Sequence, residues 1–101
     1  MTATMIAAVT PNPNHPEAVA EYTSRVVPLI EAAGGKTVRR MQVSKTLFGD
    51  AQHALVAIAD WPSPESIEGF FSSEAYQVLK PIREKAFLSF NILIAETLRP
   101  A

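Results

Sequence analysis

The chain contains no cysteine, which excludes disulfides, thiolate nucleophiles and any cysteine-held zinc or iron–sulfur site. It has no basic block, and its formal net charge is -1. Nucleic acid or an anionic membrane as main partner would need clustered Lys and Arg, so neither is expected. No apolar run approaches the roughly 18 residues of a membrane-crossing helix. The first residues lack the basic segment, apolar core and cleavage site of a secretion signal, so the expectation is a soluble, cytoplasmic protein. Histidine is scarce: His15 and His53 stand alone, without a paired carboxylate spacing, and no metal site is expected. Gly34-Gly35 lacks the residues that follow in a phosphate-cradling loop. No cofactor is expected.

What is present is a chain of 101 residues, 48% hydrophobic, enough for one domain over residues 1–101 with a small core. The stretch from Ala54 to Arg83 organises it. An apolar run reading as a buried strand, from about His53 to Asp60, is stopped by Trp61-Pro62. Ser63 then caps a short helix with Pro64 in its first turn. That helix offers Ile67, Phe70 and Phe71, breaks at Ser72-Ser73, and restarts at Glu74 as a helix bent at Pro81.

The remaining elements fit around this stretch. Thr4 to Thr10 reads as a first strand, and Pro11-Asn12-Pro13-Asn14 as a loop. A helix starts at Pro16, with Asn14 or His15 as cap, and runs to about Ala33. Val19, Tyr22, Val26, Leu29, Ile30 and Ala33 form its apolar face, Pro28 is expected to kink it, and Gly34-Gly35 ends it. Lys36 to Lys45 has the mixed character of an edge strand. Phe48-Gly49-Asp50 marks a turn before the central strand, so the two strands pair antiparallel. Phe87 to Thr97 is the last strand.

The order βαββαβ is that of two split βαβ units, an α+β, ferredoxin-like fold with one four-stranded antiparallel sheet. Right-handed crossovers put both helices on one face. Yet Ile6–Val9, Ala54–Ala59 and Ile92–Ala95 are apolar on both faces. The second face needs a cover that the chain does not supply, and a second copy across a two-fold axis would supply it. A homodimer through the sheet face is therefore expected; the alternative is a monomer whose many alanines make that face tolerable.

Tyr76 and Arg83 lie seven residues apart on one helical face. A phenol and a guanidinium so placed suit a carboxylate or phosphate, so a small organic acid is the expected ligand. Against this stands simple packing of Tyr76, with Arg83 paired to Glu74 or Glu84. His53 is the candidate general base, although no orienting carboxylate neighbours it; a plain turn residue is the alternative. His15 reads as a helix-start residue, Asp60 as a solvated strand end beside Trp61, and Tyr22, Phe70 and Phe71 as core.

Trp61-Pro62-Ser63, Ser72-Ser73-Glu74-Ala75-Tyr76-Gln77, Pro81-Ile82-Arg83 and Gly34-Gly35 together resemble the DUF1330 family, a domain of unknown function. The resemblance spans nearly the whole chain. It departs at Ala75, which separates Glu74 from Tyr76, and at Val43-Ser44-Lys45, where the family often has a glycine-rich turn. The resemblance implies a dimeric α/β barrel, in which two ferredoxin-like sheets face each other. That fold hosts cofactor-independent monooxygenases, lactone isomerases, haem enzymes and plain ligand binders, so it assigns no chemistry. Two functions remain open. One is a small-molecule binder or cofactor-independent enzyme, isomerase- or monooxygenase-like, with its site between sheet and helices. The other is a non-catalytic homodimeric scaffold that stabilises a partner.

Overall fold

A computed structural model describes residues 2–50 and 54–98. Strand β1 (Ala3–Pro11) leads through helix α1 (Pro16–Ala32) to strand β2 (Lys36–Gln42). Strand β3 (Leu55–Trp61) is followed by helices α2 (Pro64–Ser72), α3 (Glu74–Gln77) and α4 (Lys80–Ala86), and by strand β4 (Phe87–Ala95). The sheet order is β2-β3-β1-β4, antiparallel throughout. This is the expected ferredoxin-like α+β arrangement, with β3 central and β2 at an edge.

Local chemistry explains most boundaries. Ser63 accepts from the Ser66 N–H at 3.1 Å and Ser66 Oγ accepts from the Ser63 N–H at 3.2 Å, a reciprocal cap that starts α2. Ser73 Oγ accepts from the Tyr76 N–H at 3.3 Å and starts α3. At the end of α1, Gly34 takes φ +104°, the left-handed conformation that glycine adopts freely. Gly35 serves a different need: a Cβ there would lie 2.6 Å from Ile30 Cγ2 and 2.7 Å from Trp61 Cε2. The missing side chain lets α1 and the end of β3 close on each other.

Four expectations change. β2 ends at Gln42 rather than Lys45: one backbone bond from the Val43 N–H to the Ala54 carbonyl, 2.8 Å, follows it, and Val43 to Asp50 is exposed. Trp61 is the last residue of β3 instead of its terminator, and Pro62, which lacks an N–H to pair, ends the strand. The helix from Glu74 is not one bent piece: it breaks at Val78-Leu79, and Pro81 sits in the first turn of α4, where a missing N–H costs nothing. β4 stops at Ala95, not Thr97. α1 is a single helix that carries Pro28 on its exposed side.

The core lies between the sheet and the helices. Trp61, Tyr76, Ile67 and Leu79 are its largest fully buried side chains. Trp61 and Phe70 pack with centroids 5.4 Å apart at one end. Tyr22, Phe87 and Phe90 form an edge-to-face cluster at the other, with Tyr22 5.3 Å from Phe87 and 6.0 Å from Phe90.

Two glycines should respond to alanine with opposite signs. Gly35→Ala must push Ile30 and Trp61 apart and is expected to cost about 1–3 kcal/mol. Gly69 lies inside α2 with nothing within 4 Å of a built Cβ, so Gly69→Ala is expected to gain about 0.5–1 kcal/mol. Urea unfolding of the two variants beside the parent checks both.

Candidate functional site

The break between α3 and α4 does not separate Tyr76 from Arg83. Arg83 Nη1 donates to Tyr76 Oη at 3.0 Å, so the two residues bond each other, where their spacing suggests a shared face turned to a ligand. The guanidinium carbon also lies 5.6 Å from the Tyr76 ring centroid and 5.2 Å from that of Phe90. No carboxylate is within 4.0 Å of Arg83 among the described residues, so the pairing with Glu74 or Glu84 does not form. Arg83 is half-buried and Tyr76 is 1% exposed.

Tyr22 completes the arrangement. Its hydroxyl shares a hydrogen bond of 2.9 Å with that of Tyr76. Burial pushes the Tyr22 phenol well above its usual range, with the Tyr76 hydrogen bond adding to the effect. It therefore stays neutral, a donor or acceptor but not a base. Expected as core, Tyr22 is that and also a polar partner. No local spacing signals this, since the bond joins residues 54 positions apart.

The chain of Tyr22, Tyr76 and Arg83 runs through the wall between two spaces. A cavity of 320 Å³ lies between α1 and the sheet, where Tyr22, Val26, Ile30, Ala7, Ala57 and Arg40 are among its lining. A more open groove of 680 Å³ lies between α2, α4 and β4. Arg83, Phe90, Ile92 and Ile94 line it, together with the carboxylates of Glu68 and Glu84. Phe71, Phe87, Phe90 and Ile92 face both spaces. Tyr76 lines neither; it holds Arg83 from behind. The helix–sheet space is thus not filled by side chains.

The other candidates fall elsewhere. His53 lies outside the described residues. His15 Nδ1 meets Glu17 Oε1 at 3.2 Å at the exposed start of α1, consistent with a helix-start residue. Asp60 is exposed at the end of β3, and Phe70 is buried core. Among the described residues no group of three or more His, Cys, Asp or Glu gathers as for a metal, and no helix is long and apolar enough to cross a membrane.

Comparison with known proteins bears on the fold and the family. None of the curated proteins compared with the chain matches it. Among solved structures, a protein of unknown function from Rhodopseudomonas palustris is 25% identical with a TM-score of 0.81, covering 98% of this chain and 84% of that one. A dimeric ferredoxin-like protein of unknown function from Jannaschia has a TM-score of 0.74 at 8% identity, over 96% of this chain and 100% of that one. The cofactor-independent oxygenase SnoaB from Streptomyces nogalater has a TM-score of 0.69 at 12% identity, over 98% of this chain and 95% of that one. The last two likenesses are of fold alone. The match to the model of DUF1330, a domain of unknown function, extends over residues 2–98, and the chain belongs to that family.

Proposed function

We propose that the protein binds a small organic acid in the groove between α2, α4 and β4, with Arg83 as anion clamp and Tyr76 as the residue that holds it. The state of Arg83 carries this reading. A half-buried guanidinium normally pairs with a carboxylate, yet among the described residues this one bonds a hydroxyl, lies over two rings and borders the groove. Glu68 and Glu84 line the same groove, so a compact anion that seats on Arg83 fits better than an extended polyanion. The unfilled helix–sheet space favours a ligand over the scaffold reading.

If turnover accompanies binding, proton transfer is the chemistry best suited to these residues: an isomerisation, or oxygenation through the substrate's own carbanion. His53 is the base proposed for it, since Tyr22 stays protonated. Fold likeness to a cofactor-independent oxygenase supports such chemistry only as something this architecture accommodates.

A homodimer through the outer sheet face belongs to the same proposal. Register places Ile58, Ile6 and Leu93 side by side across β3, β1 and β4 on the face without helices. Leu93 is 53% exposed. Covering several hundred Å² of such surface at roughly 25 cal/mol per Å² is worth several kcal/mol, and a like-folded dimer makes the arrangement reasonable.

Two measurements check these readings. Amide and Arg side-chain NMR shifts during titration with benzoate and inorganic phosphate are expected to move at Arg83, Phe90 and Ile92. Arg83→Gln should weaken binding by about tenfold or more, and Tyr76→Phe by a smaller factor, because each removes or frees a charged donor. Equal affinity in Arg83→Gln and the parent would remove the clamp. For the dimer, light scattering should give twice the chain mass, and Ile58→Lys should halve it with circular dichroism unchanged. A monomeric parent at tens of micromolar would refute it.

A further inference from the structure

We propose that the cavity beneath α1 is a second binding site, for an apolar monocarboxylate with Arg40 taking the carboxylate. It differs from the groove reading in its charged residue and its opening, although Phe71, Phe87, Phe90 and Ile92 border both spaces.

The register of the sheet shows how the space arises. On the helix-covered face, residues line up across the strands in rows. Arg40 pairs with Ala57, Ala57 with Ala7, and Ala7 with Ile92. The row on one side is Gln42, Leu55, Val9 and Phe90, and on the other Thr37, Ala59, Met5 and Ile94. The middle row therefore has two methyl groups at its centre, directly under α1. Met5, Val9 and Ala59 are buried, whereas Ala7 and Ala57 remain half-exposed although they lie at the middle of a covered face. That exposure is to the cavity of 320 Å³.

The lining selects the ligand. Val26, Ile30, Val9 and the alanines make the walls apolar, and an apolar space of this kind favours an apolar body over water. The Tyr22 hydroxyl is engaged with Tyr76. Arg40 is the only charged group lining the cavity among the described residues, and it has no carboxylate within 4.0 Å. It is exposed on edge strand β2, as is Gln42, so the cavity opens there. One cation at the mouth of an apolar chamber selects a monoanion with an apolar body and repels amines. At about 30 Å³ for each water-sized group, the volume takes roughly ten non-hydrogen atoms, the size of octanoate.

The test is a titration of methyl-labelled protein with octanoate, and with octanol as neutral control. The methyls of Ala7, Ala57, Val26 and Ile30 are expected to shift saturably with octanoate. Arg40→Gln should weaken octanoate about five- to tenfold, discounted from a full charge-assisted bond because Arg40 is exposed, and leave octanol unchanged. Ala57→Leu should fill the chamber and abolish the methyl shifts. Ala7 and Ala57 border the chamber and not the groove, so shifts of their methyls separate the two sites. No saturable shift at Ala7 and Ala57 overturns the proposal, as does equal octanoate binding in Arg40→Gln and the parent. Saturable octanoate shifts at Ile94, which borders only the groove, without shifts at Ala7 and Ala57 assign the ligand to the groove and also overturn it. Arg40 is on an exposed edge, so its variant decides the matter even where Ala57→Leu fails to fold.

Discussion

Two central strands that are apolar on both faces constrain everything else in this fold. β1 pairs with β3 from Ala3 to Val9, and neither strand alternates polar with apolar. Helices on a single antiparallel sheet of this topology cover one face only, so the chain meets two packing problems at once. On the outer face it leaves Ile6, Ile58 and Leu93 in a continuous row. On the inner face it must fill the space under a helix from strands that carry alanine at their centre. Aromatic side chains close the two ends of that inner layer, Trp61 with Phe70 and Tyr22 with Phe87 and Phe90. The middle is left open by Ala7 and Ala57.

The polar groups inside this layer satisfy one another instead of reaching water. Tyr22, Tyr76 and Arg83 come from α1, α3 and α4, and their bonds join these three elements from within the layer, beside the surface pair of Glu17 and Lys85. A buried hydroxyl left alone costs about 1–3 kcal/mol, so a closed chain of partners is the condition for placing two phenols here. Trp61 shows the contrast. Its Nε1 is buried with no acceptor among the described residues, a cost accepted for the packing of the indole against Gly35.

The architecture was legible because its signals are local. Gly34-Gly35, Ser63-Pro64 and Ser73 each mark a terminus through backbone chemistry that needs no tertiary context. Two-sided apolar runs identified the sheet. What local signals do not contain is where polar edge pairing stops, which is why Val43 to Lys45 reads as strand and is not. Pro81 misleads in the opposite way: a proline reads as a bend, but within a first turn it merely starts a helix, and the break lies upstream at Val78-Leu79. The Tyr76–Arg83 pair was legible from its spacing of seven. Tyr22 was not legible as its partner, because apolar periodicity explains a buried tyrosine equally well. Arg40 was hidden by a correct rule, since charges on an edge strand do deter stray pairing, and only register shows that it shares a row with two alanines.

The two arginines proposed as anion sites differ in how they are held. Arg83 is pre-organised: a hydroxyl and two rings hold it, so little side-chain freedom remains to be lost on binding. Arg40 is exposed on an edge strand without a carboxylate partner among the described residues, so it would have to order itself on binding, and the chamber behind it would be the larger source of affinity. Leaving that chamber unfilled is costly in its own right. At about 24 cal/mol per Å³ for residual cavities, a space of this size sets an upper bound of several kcal/mol, reduced by its opening at β2. A larger apolar residue in place of either alanine would occupy part of that space. Small residues at the centre of the sheet are therefore hard to explain by stability alone and follow naturally if an apolar body occupies the space.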